Sequence, residues 1–264
     1  MKVLRIATVF LLIAGCLLLA SCDKADTLAV KGLNFDELTA VEYTALQMSL
    51  RASADEKYGY KGPLYHLFEE NGELWLNVAD SNDIGPFSIS TGSRQLFAED
   101  LGEWGGWVST ANFYSELSQG IVKPENVLTG VFVAGLYQKE RYDPVAYILA
   151  GRYRDYKVYR FTDLNEKGWQ LDVVAEPKIN AHVALLDGDR LVIAASKGLL
   201  TVDVNTGETI ILYDGEDWGP VYHNSIVKIG DSYFIGCSVG IHEYRISEGK
   251  MLFYPYPDYV PEEE

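Results

Sequence analysis

The stretch HVALLDGDRLVIAASKGLLTVDVNTG, residues 182–207, decides the fold, because a second copy follows it at a fixed distance. Residues 224–249, NSIVKIGDSYFIGCSVGIHEYRISEG, repeat its pattern with an offset of 42 residues. The turn positions correspond as Gly188 with Gly230, Ser196 with Ser238, Gly198 with Gly240 and Gly207 with Gly249. The apolar positions correspond as Leu191 with Tyr233, Ile193 with Ile235, Val202 with Tyr244 and Val204 with Ile246. A fixed period indicates that one small structural unit is used more than once.

Each copy predicts four β-strands. Residues 191–195 and 233–237 are apolar at successive positions, which predicts a central strand that is buried on both faces. The next strand alternates, with Leu200, Val202 and Val204 facing inward. The remaining strands are predicted at 183–186, 209–213, 225–228 and 251–254, and further apolar runs predict strands at 127–134, 144–150, 156–161 and 169–174.

A looser third copy extends the repeat towards the beginning of the chain. Thr91-Gly92 matches Thr206-Gly207, and the distance between them is close to three units. Four-stranded units of this length, joined by Gly and Asp turns, resemble the blades of β-propellers. The resemblance implies an all-β fold with about five four-stranded blades over residues 63–264. A sandwich or a barrel holds as many strands, but neither requires a repeat.

The region before the sheets predicts a helix and an export signal. Asn34 and Glu37 have capping-box spacing at the start of a predicted helix over 34–51, so one N-terminal helix precedes the sheets. Lys2 and Arg5 lead into an apolar run that ends in Leu19-Ala20-Ser21-Cys22. This ending resembles the lipobox of bacterial lipoproteins, which implies that Cys22 carries the lipid and that residues 1–21 are removed as a signal peptide.

An uncleaved membrane anchor is the alternative for this run, but its length falls short of the ~20 residues that a spanning helix needs. The predicted organisation is therefore a signal peptide (1–21), a tether with the helix (22–62) and a β-propeller domain (63–264). The lipid would hold the protein to a membrane of the cell envelope, facing the periplasm or the exterior. The choice between inner and outer membrane stays open.

Composition limits the classes of partner. The net charge is −16, and losing Lys2 and Arg5 with the signal peptide would make it −18. Nucleic-acid binding needs clustered Lys and Arg, so a nucleic-acid partner is not expected. Cys16 would leave with the signal peptide and Cys22 would be lipidated, so Cys237 has no cysteine with which to form a disulfide.

Three histidines are candidate ligand-binding residues, because each lies at the predicted entry to an innermost strand. They are His66, His182 and His223. Around one mouth of a propeller channel, such side chains could bind a metal or polarise a ligand. The alternative is a structural role in which a repeated polar residue ties neighbouring backbone groups, and the registers differ, since His182 aligns with Asn224. His242 falls on a third strand and is not assigned to this group.

Four aromatic residues are further candidates for ligand binding, because they fall in Gly-rich connections between the predicted blades. They are Trp104, Trp107, Trp218 and Tyr222. Exposed together, they would form a contact surface for a protein or a glycan. The alternative is that they fill the gaps between neighbouring blades.

Recognisable catalytic motifs are scarce. Gly236-Cys237-Ser238-Val239-Gly240 matches the hydrolase elbow Gly-x-Ser-x-Gly, but strands are predicted on both sides of it, where the elbow needs a strand followed by a helix. The sequence contains no zinc spacing, phosphate loop or dinucleotide fingerprint, so neither a cofactor nor a metal is predicted.

The sequence therefore favours a lipid-anchored binding or scaffolding module of the cell envelope that is not catalytic and that takes a protein or glycan partner. One alternative is a lyase or hydrolase that uses a metal held by the three histidines. The other is a structural subunit of an envelope complex.

Overall fold

The computed structural model is built from antiparallel β-sheets. It describes residues 64–70, 73–79, 87–99, 106–112, 124–152, 154–214, 223–237 and 240–255. All of these belong to one unit of the chain, Leu33–Glu264. The all-β class is confirmed, whereas the helix predicted over 34–51 lies outside the described residues.

Seventeen strands form four sheets within the described residues. The first sheet is a hairpin of β1 (Leu64–Glu70) and β2 (Glu73–Ala79). A sheet of seven strands follows: β3 (Phe87–Thr91), β4 (Arg94–Glu99), β5 (Gly106–Asn112), β6 (Glu125–Tyr137), β7 (Val145–Arg152), β8 (Asp155–Asp163) and β9 (Trp169–Ala175). The third contains β10 (Ala181–Asp187), β11 (Arg190–Ala195), β12 (Gly198–Asp203) and β13 (Thr209–Asp214). The fourth contains β14 (His223–Ile229), β15 (Ser232–Cys237), β16 (Gly240–Arg245) and β17 (Lys250–Pro255).

The seven-stranded sheet consists of two four-stranded sets that share β6. The first half of β6 pairs with β5, and the second half, from Phe132, pairs with β7. Gly130, with a φ of 65°, is the extra residue between Thr129 and Val131, the last two residues of β6 that pair with β5. This left-handed conformation interrupts the extended strand and is accessible to glycine without steric cost, so β6 can change partners here.

The third and fourth sheets have the same register at the offset of 42 residues. Ile193 pairs with Leu200 in one sheet, and Ile235 pairs with His242 in the other. Each first strand also contains an irregularity at an equivalent place, between Ala181 and Val183 in β10 and between His223 and Ser225 in β14. The extra residues in the two strands are His182 and Asn224, so the repeat extends to a defect in strand pairing.

The core consists of apolar layers between sheets that follow one another in the chain. Val192 and Leu199 of the third sheet pack in one cluster with Ile235 and Phe253 of the fourth. Another cluster joins β7 and β8 to the third sheet, and Leu67 of β1 packs with residues of the fourth sheet. The Leu67 amide also donates a hydrogen bond of 2.9 Å to the Ser225 hydroxyl, which fixes the first hairpin beside the last sheet.

A buried carboxylate ties the two halves of the seven-stranded sheet. Asp163, at the end of β8, accepts a hydrogen bond of 2.6 Å from the Ser93 amide in the β3–β4 turn. It also accepts hydrogen bonds from the Ser93 hydroxyl and the Asn165 amide. The guanidinium of the buried Arg94 lies 3.7 Å from the same carboxylate.

Candidate functional site

Two of the predicted histidines meet at the boundary between the third and fourth sheets. The Nδ1 atoms of His182 and His223 are 3.1 Å apart, and the two rings stack with their centroids 5.4 Å apart. The His223 backbone amide also approaches His182 Nδ1, at 3.5 Å. These contacts indicate that His182 Nδ1 is the acceptor and that His223 Nδ1 carries the donated proton.

His182 reaches this position because it is the extra residue in β10. A bulge changes the direction of a side chain relative to the regular alternation of a strand. His182 therefore meets His223, although the repeat aligns it with Asn224. Sequence alignment alone placed the two histidines one position out of register.

A third imidazole, which the sequence analysis set aside, completes the cluster. His242 of β16 is buried, and its ring centroid lies 5.5 Å from that of His223 and 4.7 Å from that of Phe253. The signal for it was present in the repeat, because His242 corresponds to Leu200, a position that the alternation of β12 predicted to face inward. We call His182, His223 and His242 the histidine stack.

Burial governs the charge of the histidine stack. It lowers the pKa of His182, and it lowers the pKa of His242 to about 3. For His223, burial and then the neighbouring His242 and His182 hold the pKa well below 6.5. All three rings are therefore neutral near pH 7 and cannot attract an anion by charge.

The histidine stack by itself does not make a metal centre. Within the described part of the chain, no three His, Cys, Asp or Glu side chains are grouped so that they could hold a metal ion. Its rings pack on one another and on Phe253, which is the packing of a polar core element.

The remaining predicted site residues lie elsewhere or outside the described residues. His66 is on β1, and nothing of its side chain is described. Trp107 was predicted in a connection between blades, which is wrong, because it lies inside β5 opposite Thr129 and is half-buried. Trp104, Trp218, Tyr222 and Cys22 fall outside the described residues.

The hydrolase-like motif has a strand on each side. Gly236 and Cys237 end β15 and Gly240 begins β16, so the strand-to-helix geometry of a nucleophile elbow is not formed there. Cys237 is buried, and its thiol donates to the Gly240 carbonyl at 3.1 Å.

A groove that the sequence analysis did not foresee opens where β9 leads into β10. Its volume is about 440 Å³. It is formed by the β7–β8 turn, the linker at 177–180, the β11–β12 turn and the edge strand β13. The linker is fixed from both sides, because the Tyr156 amide donates to the Ile179 carbonyl and the Ser196 amide donates to the Asn180 carbonyl.

The groove has a charged rim and an apolar floor. Arg154, Lys178 and Lys197 contribute positive charge from three different loops, and Asp214 contributes one carboxylate. Leu199, Leu200 and Ile211 are among the apolar lining residues. We call this site the β13 groove. No sequence motif indicated it, because its residues come from separate turns and share no spacing.

No protein-family model matches the chain, and the search of curated proteins found no match. Among solved structures, the AfRom2 CNH domain is similar at 12% identity and a TM-score of 0.40, covering 69% of this chain and 68% of that chain. This likeness is too distant to assign a function. No helix in the described residues is long and apolar enough to cross a membrane.

Proposed function

We propose that the protein is a lipid-anchored binding module of the cell envelope, without catalytic activity, built on a β-propeller of about five blades. The observation that carries the proposal is the β13 groove, which combines an apolar floor with a few polar groups fixed on separate loops. Small-molecule sites in proteins have this composition, and the volume of the groove falls within the range of their volumes.

The order of packing supports the propeller. Four-stranded sets occur in chain order as β3–β6, β6–β9, β10–β13 and β14–β17, and neighbouring sets share apolar layers. The first hairpin packs on the last sheet through Leu67. Sheets that pack in sequence, with the first beside the last, are the arrangement of blades around an axis.

Chemistry favours binding over catalysis. The polar cluster that most resembles an active site, the histidine stack, consists of imidazoles that are neutral and largely buried. The groove contains cations and one carboxylate, and its lining includes neither a histidine nor a cysteine. Its lining residues therefore cannot form a pair of a serine or cysteine nucleophile with a histidine base.

The binding proposal is tested with the lipidated protein, purified from membranes in detergent. We expect it to capture a defined protein or glycan from envelope extracts and glycan arrays, with no turnover on a panel of glycoside, ester and peptide substrates. Ser196→Trp fills the groove and should abolish capture, while Ser247→Trp, in the exposed β16–β17 turn, should not. Turnover that is lost in His182→Ala or His223→Ala would contradict the proposal.

The anchor is tested separately at Cys22. The full-length gene expressed in a bacterium should give a membrane-bound protein that incorporates radiolabelled palmitate and has a diacylglyceryl group on Cys22. Cys22→Ala should lose both the label and the attachment. Cys16→Ala is the matched control, because this cysteine lies in the segment to be removed and its substitution should change neither. An unmodified Cys22 in the membrane fraction would reject the anchor.

The two alternatives have direct tests of their own. A metal held by His182 and His223 would have to replace the hydrogen bond between their Nδ1 atoms, so the enzyme hypothesis predicts stoichiometric metal that His182→Ala removes. Metal-free protein that still captures its partner would favour the binding module. A structural subunit would instead co-purify from membranes in a complex of fixed stoichiometry.

A further inference from the structure

We infer that the β13 groove binds an anionic group attached to an apolar body: a carboxylate, sulfonate or phosphate, either on a free ligand or displayed by the protein or glycan partner. This inference rests on the proposed binding function and gives the chemical class of its ligand. Three observations support it: the basic side chains that line the groove, the backbone conformation of two of them, and the apolar residues beside them.

The charge of the groove is opposite to that of the protein. The chain has 38 acidic and 22 basic residues, so a surface site chosen at random is more often negative than positive. The β13 groove nevertheless brings together Arg154, Lys178 and Lys197 against the single carboxylate of Asp214. An anion repelled by the rest of the surface is attracted here, and the remaining carboxylate helps to orient it.

Two of these basic residues have a left-handed backbone conformation, which destabilises the fold. Arg154 has a φ of 64° and Lys178 a φ of 54°, so both lie in the left-handed region that Gly, Asn and Asp adopt more easily. Of the four non-glycine residues with positive φ in the described part of the chain, these two line the same groove. Residues kept in such conformations cluster at binding sites.

The floor of the groove selects for an apolar body. Leu199 and Leu200 form a buried base, and Ile211 of β13 is 68% exposed beside it. Burial of an isoleucine side chain this exposed beneath a ligand would contribute favourably to the free energy of binding. Asn180 and Ser196, in the linker and the turn, are polar lining residues placed to orient the bound group.

The test compares two probes of nearly the same shape, 2-naphthoate and 2-naphthalenemethanol, by isothermal titration calorimetry with the lipidated protein in detergent. The naphthoate should bind at least 10-fold more tightly than the neutral alcohol, and its affinity should fall as salt is raised. Lys178→Glu combined with Lys197→Glu should weaken naphthoate binding at least 10-fold. Lys167→Glu combined with Lys250→Glu makes the same change in net charge away from the groove and should have little effect.

A second variant keeps the test informative if the double charge reversal misfolds. Lys178→Gln with Lys197→Gln removes the charges without introducing repulsion, and it should weaken naphthoate binding in the same direction. Equal affinities for the two probes, or naphthoate binding that the Gln variant leaves unchanged, would overturn the inference.

Different results would reject the anion site and the binding function. If both probes bind equally and Ser196→Trp blocks both, the groove is a binding site but does not select anions. If naphthoate binding depends on Lys178 and Lys197 but partner capture survives every groove variant, the groove takes a free anion, and the proposed function loses the site assigned to it. Naphthoate binding that depends on Lys178 and Lys197, in a protein that also shows turnover, would reject only the non-catalytic proposal.

Discussion

The Nδ1 atom of His182 lies 3.1 Å from the Nδ1 atom of His223, across the boundary between two sheets and 41 positions apart in the chain. The contact is made from the first strand of each sheet, β10 and β14. With His242 behind His223, it places three titratable groups in the layer that joins the sheets. The stability of this junction should therefore depend on pH.

Acidification should destabilise the protein through the histidine stack. In the unfolded chain a histidine takes up a proton near pH 6.5, whereas the folded pKa of His242 is about 3. Between these values the unfolded state binds more protons, so the free energy of unfolding falls as the pH falls. For His242 alone, the loss between pH 7.5 and pH 5.0 should be about 2 kcal/mol, measured by urea denaturation.

His242→Leu is the matched variant, because Leu200 occupies the equivalent position of the third sheet. It should reduce the loss of stability between pH 7.5 and pH 5.0 by about 2 kcal/mol, whatever its effect at pH 7.5. The pKa values of the Asp187 and Glu243 carboxylates are lowered, so these groups lose their contribution to the free energy of unfolding mainly below this pH range. They therefore do not hide the effect of His242. An unchanged pH dependence in the variant would show that His242 protonates in the folded state.

Removing the Asp163 carboxylate should destabilise the seven-stranded sheet strongly. Asp163→Ala takes acceptors from Ser93 and Asn165 and removes the buried carboxylate beside Arg94, which keeps the more exposed Glu125 at 3.6 Å. Breaking a buried pair from one side costs about 3 kcal/mol or more, measurable by urea denaturation. Asp172→Ala, which breaks the more exposed pair with Arg160, is the control and should change stability little. Equal effects of the two substitutions would mean that Asp163 does not tie the sheet.

Two glycines with similar left-handed backbone conformations should differ in the loss of stability that an alanine substitution causes. Gly188 and Gly207 both have positive φ, 60° and 77°. A Cβ at Gly188 meets nothing within 4 Å, so Gly188→Ala should cost about 1 kcal/mol for the left-handed backbone alone. A Cβ at Gly207 would overlap the Val174 carbonyl of the neighbouring sheet, so Gly207→Ala should cost roughly 3 kcal/mol. Thermal unfolding gives both values, and similar values would argue against close packing at Gly207.

The repeat made much of the sheet architecture predictable, because strand identity depends on local patterns of apolar residues. The runs at 191–195 and 233–237 correspond to β11 and β15, and the run at 127–134 lies within β6. The partner change in β6 was not predicted, since it depends on the φ of one glycine, Gly130. An apolar run shows where a strand lies, but it does not show with which strand each half pairs.

The candidate site was predictable only where it follows the repeat. The pattern predicted His182 and His223 at strand entries around one mouth and left open whether they converge; they meet through a bulge that no periodicity reveals. The β13 groove was missed because Arg154, Lys178 and Lys197 lie on separate turns, and only the packing of two sheets brings them together. Sites of this kind depend on tertiary structure and leave no local spacing in the sequence.

Lys178→Asn should stabilise the fold and weaken the site at the same time. Asparagine accepts the left-handed conformation of residue 178 more easily than lysine does, so the free energy of unfolding should rise by about 0.5 kcal/mol. The same change removes a cation from the groove, so naphthoate affinity should fall several-fold. Tyr142→Asn is the control: Tyr142 has a φ of 68° and does not line the groove, so its variant should gain stability without losing affinity. A Lys178→Asn variant that binds naphthoate like the parent would show that the left-handed backbone at this position serves the linker rather than the anion.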